Sequence, residues 1–198
     1  MAELIVAIAG SLRKGSYNRA LIRAASELAP ERMTIESVEI GDLPFYNADV
    51  EARGDPPAVA AFKAALDGAD GLLIATPEYN DGIPAVLVNA MDWGSRLPSR
   101  APLLGKPVAV MGASPSQTGT ARAQLHIRQI LNHVRARVLP PPELLVAKAH
   151  ERFDKELRLT DETTRKVLSD LLLRFNRWIE RERIAADTER ERPARTSV

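Results

Sequence analysis

Leu4-Ile5-Val6-Ala7-Ile8 leads, through Ala9, into Gly10-Ser11-Leu12-Arg13-Lys14-Gly15-Ser16-Tyr17-Asn18, and this stretch decides the fold. An unbroken apolar run of this length reads as a parallel strand buried on both faces. Leu21, Ile22, Ala25 and Leu28 then recur on one helical face. The loop between strand and helix therefore lies at a helix N-terminus, where unpaired N–H groups and the positive end of the macrodipole favour an anion. The hydroxyls of Ser11 and Ser16 and the amide of Asn18 offer further donors, and Arg13 a planar charged clamp. The bland alternative is an ordinary turn in which Ser16 only caps the helix.

Two familiar phosphate loops do not fit. Gly10 and Gly15 have P-loop spacing, but Ser16 stands where that loop needs Lys, and Asp70 opens the third apolar run where a Walker-B acid would close one. No G-x-G-x-x-G occurs, which removes the dinucleotide fingerprint at the first turn. A single phosphate, such as that of flavin mononucleotide, is the guest that suits the loop.

The 198 residues suffice for one well-buried domain. A formal net charge of +1 gives no bulk attraction for nucleic acid or an anionic membrane, so small molecules or further copies of the chain are the expected partners. The absence of cysteine excludes disulfides, thiolate nucleophiles and Fe–S clusters, so redox chemistry has to come from a bound cofactor. The chain enters its first strand within a few residues and has no apolar run of membrane-spanning length, making the cytoplasm the default expectation.

Further apolar runs at Ile35 to Val38, Gly71 to Ala75, Pro107 to Met111 and Val138 to Leu139 alternate with helical patterns. The helical marks are Val59, Phe62 and Leu66, then Val86, Leu87, Ala90 and Met91, then Ala123, Ile127, Ile130, Leu131 and Val134, then Leu168 to Ile179. Such alternation predicts an α/β fold, a flavodoxin-like doubly wound five-stranded parallel sheet of order 2-1-3-4-5, with helices on both faces and the ligand outside the carboxyl ends of the strands. The segment from Gly41 to Pro57 reads as a lid or surface loop, and Pro140-Pro141-Pro142 as the exit from the last strand. Thr160 or Asp161 is expected to cap the final helix. From Glu180 onward, five acids balance five arginines with almost no apolar anchor, which reads as a frayed helix end, so the domain is drawn as 1–183 and 184–198 as a charged, disordered tail.

The loops after the third and fourth strands open on the same edge as the first. Thr76-Pro77-Glu78-Tyr79-Asn80-Asp81-Gly82-Ile83-Pro84 offers backbone donors and acceptors around one aromatic, Tyr79, and suits a flat heteroaromatic ring. Gly112-Ala113-Ser114-Pro115-Ser116-Gln117-Thr118-Gly119 is small and polar, so a ring could approach its backbone closely.

Together G-S-L-R-x-G-S-x-N, P-E-Y-N-x-G-I-P with Asn89-Ala90-Met91-Asp92-Trp93, and G-A-S-P resemble the NADPH-dependent FMN reductases, a group of flavodoxin-like quinone, azo and chromate reductases. The likeness runs from about Leu4 to Phe175. It implies that Ser11, Arg13, Ser16 and Asn18 bind the FMN phosphate, that Pro77, Glu78, Tyr79 and Asn80 border the isoalloxazine, and that Ser114 lies on its other side. Asp81, Ala85 and Ser116 depart from the family pattern near the open ring face. Hydride transfer from NADPH or NADH to a quinone, azo compound, free flavin or chromate is the implied activity, by a ping-pong sequence with no catalytic triad. Tyr79 and Asn80 are expected to shape the ring site, with backbone N–H groups of their turn facing the negative charge of the reduced flavin.

His126 and His133 share a helix face with Arg122 and Gln129. Their i, i+7 spacing suits a subunit interface better than a metal site, and no metal is expected. Asp92-Trp93 is a candidate for a dimer seam, and the family likeness implies a homodimer or homotetramer. The rival reading is a flavodoxin-type electron carrier without nicotinamide turnover, for which a near-neutral chain lacks the usual acidity.

Overall fold

The computed structural model describes residues 2–96 and 101–191. The apolar runs form β1 (Glu3–Ala9), β2 (Met33–Ser37), β3 (Gly71–Ala75), β4 (Pro107–Ala113), β5 (Arg137–Val138) and β6 (Leu144–Val146). All pair in parallel in the order β2-β1-β3-β4-β5, and β6 also pairs with β4. The fifth position of the expected sheet is thus shared by two short strands. β5 runs beside Pro107 and Val108, and β6 beside Met111, Gly112 and Ala113. Pro140-Pro141-Pro142 interrupts this edge without ending it, since prolines lack the N–H a ladder needs and pairing resumes beyond them.

Side chains alternate along each strand, and the two sheet faces carry separate cores. Ile5, Ala7, Leu73, Ala75 and Met111 pack with α1 (Tyr17–Glu27) and α6 (Glu162–Glu191). Val6, Ile8, Leu72, Ile74 and Val110 pack with α3 (Pro57–Gly68), α4 (Ala85–Gly94) and α5 (Ala121–His133). Leu72, Leu73 and Ile74 are inaccessible to solvent, and burying a side chain of this size stabilises by about 1.5–3 kcal/mol each.

The segment from Gly41 to Pro57 contains α2 (Ala48–Glu51) and is fastened to α4. Asn89 Nδ2 donates to Pro44 O at 3.0 Å, Asn89 Oδ1 accepts from Tyr46 N at 2.8 Å, and Trp93 Nε1 donates to Pro44 O at 2.8 Å. Trp93 is fully buried, which corrects its expected place at a seam: the indole is a core anchor for this connection. Asp161 caps α6, its carboxylate accepting from Thr164 N at 2.8 Å and Thr164 Oγ1 at 2.6 Å. The helix continues to Glu191 through the first part of the stretch read as a tail, and just before that stretch Glu182 lies 3.4 Å from Arg137 and Arg183 3.1 Å from Asp70. Residues 192–198 of that stretch lie outside the described residues. Among the described residues no helix is long and apolar enough to cross a membrane.

Candidate functional site

The loops after β1, β3 and β4 meet at the carboxyl edge of the sheet. The ladder extends into them: Gly10 N donates to Ala75 O at 2.9 Å, and Thr76 N to Met111 O at 3.0 Å. Two glycines allow this approach. A Cβ on Gly10 would stand 3.0 Å from both Pro77 Cδ and Pro84 Cγ, and one on Gly112 would fall 2.2 Å from Thr120 Oγ1 and 2.4 Å from Thr76 O.

In the first loop, no amide N–H from Ser11 to Tyr17 has a protein acceptor among the described residues. Leu12 to Gly15 are exposed, so water can pair these amides, and free amides at a helix N-terminus are donors an anion can take over. Ser16 caps α1, its Oγ accepting from Asn18 N at 3.2 Å and Arg19 N at 3.3 Å. Ser16 thus caps the helix as the bland reading has it, and its hydroxyl hydrogen has no protein acceptor among the described residues. Asn18 is buried and does something the sequence reading did not assign to it. Its Nδ2 donates to Ala113 O and its Oδ1 accepts from Ala113 N, both at 2.9 Å, pinning the end of β4 to α1.

The second loop ends in a tight hairpin. Tyr79 and Gly82 exchange backbone hydrogen bonds of 3.0 and 2.9 Å, while Asn80 and Asp81 take φ values of 50° and 59°. Two left-handed residues between a bonded pair make a type I′ turn, which Asn and Asp tolerate better than most side chains. The Asn80 and Asp81 N–H groups at its tip have no protein acceptor among the described residues. Tyr79 Oη donates to Ser11 Oγ at 3.3 Å, joining this loop to the first. Glu78 is the second fastening. Its carboxylate accepts from Arg122 N at 2.9 Å and Ala123 N at 3.1 Å, so it caps α5, whose own Thr120 makes no side-chain cap.

The third loop is held by the strand that the sequence did not disclose. Ser114 N donates to Val146 O, and Ala149 N donates to Ser114 O, both at 3.0 Å. Ser116 Oγ donates to Gly119 O at 3.1 Å, so the residue that departs from the family pattern tightens the loop.

Ser11, Arg13, Ser16, Asn18, Pro77, Glu78, Tyr79 and Ser114 line one shallow cavity of about 70 Å³, with Asn80 adjacent at the turn tip. That is space for a phosphate group and not for a nucleotide, and the second and third loops form the cavity's rim. The residues present fit FMN on this ground: free amides and hydroxyls for a dianion, then a small-residue rim with unpaired donors. A larger cleft of about 950 Å³ runs beside it between α4 and α5, and includes His126, Gln129 and His133. It touches the second loop at Ile83 but is lined by none of the residues whose amides are free. Among the described residues, no three His, Asp or Glu side chains are grouped so as to hold a metal ion.

Residues 4–151 match the NADPH-dependent FMN reductase family. The chain is 45% identical over 177 residues to an NAD(P)H-dependent FMN reductase of Pseudomonas aeruginosa, covering 89% of this chain and 95% of that one. It is 39% identical over 183 residues to a quinone reductase of Escherichia coli K12, covering 91% and 97%. Among solved structures, FerB of Paracoccus denitrificans, a flavoenzyme NAD(P)H:(acceptor) oxidoreductase, superposes with a TM-score of 0.84 at 36% identity, over 91% of this chain and 99% of that one.

Proposed function

The chain belongs to the NADPH-dependent FMN reductase family, and from that premise we propose that it passes hydride from NADPH or NADH through bound FMN to a small acceptor, foremost a quinone. The observation that carries this reading is the run of unpaired amides from Ser11 to Tyr17, set on the same edge as the Tyr79–Gly82 turn.

FMN supplies the hydride-accepting ring. The chain's own residues bind and position. The amides of the first loop, the Ser11 and Ser16 hydroxyls and Arg13 hold the phosphate, and Asn18 sets the distance between that cradle and β4. Pro77, Glu78, Tyr79 and Asn80 border the ring, with the amides at the turn tip directed to the charge that builds at its edge. Ser114 closes the other side with a small side chain. No general acid or base is required of the protein, so positioning carries the catalysis.

With FMN held at this site, donor and acceptor would react there in turn, a ping-pong sequence, and azo compounds, free flavin and chromate would be further acceptors. The flavin-binding unit is 1–183, with 184–198 outside it, and the protein works in the cytoplasm as a homodimer or homotetramer.

A flavin-fluorescence titration tests the phosphate assignment. Replacing Arg13 and Ser16 together by Ala is expected to raise the FMN dissociation constant by about tenfold or more, the scale of losing a charge-assisted contact and a hydroxyl. An unchanged constant would contradict it.

A further inference from the structure

We propose that Arg122 is a specificity-determining residue for the anionic hydride donor, a phosphate-bearing nicotinamide dinucleotide, and that Asp81 holds its guanidinium ready at the rim of the ring site. The proposal rests on the reading above, which places the ring beside the Tyr79–Gly82 turn.

Arg122 lies in the first turn of α5. Its Nη1 is 2.8 Å from Asp81 Oδ1 and 3.2 Å from Glu78 Oε1. The two carboxylates differ in kind. The Glu78 side chain is 7% exposed and its Oε2 is committed to backbone N–H groups of α5. The Asp81 side chain is 72% exposed and, among the described residues, bonds Arg122 alone. One partner is thus a fixed cap and the other is displaceable.

The Arg122 side chain is itself 52% exposed, and among the described residues all contacts of its guanidinium use Nη1. The edge formed by Nε and Nη2 has no protein partner among the described residues. That edge is the fork that grips a phosphate with two parallel hydrogen bonds. An exposed ion pair shifts an equilibrium by less than about tenfold, so Asp81 gives way to a bound phosphate at little cost. Removing Arg122 leaves the Glu78 and Asp81 carboxylates facing the incoming anion with no cation between them. The main-chain cap survives that change, because Glu78 bonds the amides of Arg122 and Ala123 whatever the side chain.

The test compares R122A, R122K, D81N and the D81N/R122A pair in the FMN-loaded protein. R122A is expected to raise the KM for NADPH by about tenfold or more with kcat and the FMN dissociation constant unchanged, the pattern of lost uniform binding. R122K should restore part of this, as a point charge without the fork. D81N should lower the KM for NADPH by about two- to fivefold, and should do nothing once Arg122 is gone. Calorimetric binding of 2′,5′-ADP and of ADP-ribose to the FMN-loaded protein reads the contact without turnover. Loss of the first alone in R122A assigns the 2′-phosphate, and loss of both assigns the diphosphate. An unchanged KM for NADPH in R122A overturns the proposal. So does an equal rise in KM for an uncharged quinone, or loss of FMN, either of which makes Arg122 only a fastener of the turn. Failure of the parent reading looks different: the unmodified protein is then reduced by neither NADPH nor NADH.

Discussion

Glu78 and Arg122, 44 positions apart, are joined through the main chain: the Glu78 carboxylate accepts the Arg122 N–H at 2.9 Å and so caps α5 from a neighbouring loop. The cap fixes the base of the turn that carries Tyr79 and Asn80. Glu78→Ala should therefore cost about 1 kcal/mol, the usual worth of an N-cap, and should weaken FMN binding as well. Glu78→Gln keeps an acceptor oxygen and should lose less of both. Thermal denaturation of the FMN-free protein with a parallel flavin titration checks this, and a loss of stability with unaltered flavin affinity would separate the cap from the site.

Gly112→Ala should destabilise by about 1–3 kcal/mol or more through overpacking. The added methyl would collide with Thr120 Oγ1 at 2.2 Å and with the Thr76 carbonyl at 2.4 Å. The second is backbone, so trimming Thr120 should not rescue the variant. Denaturant midpoints of Gly112→Ala and of Gly112→Ala with Thr120→Ala, read against Thr120→Ala alone, are the measurement.

Asp81→Gly should raise the denaturation midpoint, because φ of 59° strains any residue with a Cβ and Asn-Gly is the preferred pair for this turn. The gain is about 1 kcal/mol, less the small contribution of the exposed contact to Arg122. Asp81→Val, branched at Cβ, should lower it.

The Glu3 carboxyl sits above its ordinary range, chiefly because burial opposes ionisation, with Arg183 pulling it back and Glu180 and Asp70 pushing the same way as burial. One of its oxygens, Oε2, is buried without a hydrogen-bond partner. An acid whose folded pKa exceeds its unfolded one binds the proton more tightly when folded, so its contribution to stability falls as pH rises through the window between the two values. Glu3→Gln should remove that slope, giving a variant whose stability relative to the parent improves from acid to neutral pH. Chemical denaturation at several pH values checks the sign.

Much of this arrangement is readable along the chain because its signals are local. The Leu4 to Ile8 and Gly71 to Ala75 runs lie within buried strands, and the donors of the first loop sit within one turn of the helix that orients them. What escaped depends on contacts between distant segments. The β6 strand is three residues long and follows three prolines, so it carries no periodicity that could announce it. The partner of Asn18 is a backbone 95 residues away, and nothing near Glu78 marks the helix it caps. Trp93 next to an acid at a helix end looks like a surface pair until Pro44 O is found to receive its N–H. The charged stretch after Glu180 looks unanchored because its contacts, Arg137 in β5 and Asp70 just before β3, are distant in sequence.

The most direct test is the visible absorbance of the FMN-loaded protein before and after NADPH is added without oxygen. Prompt bleaching of the flavin band, with recovery when a quinone follows, is the expected result. Flavin that binds but stays oxidised under NADPH and NADH would contradict the account and leave an electron carrier in its place.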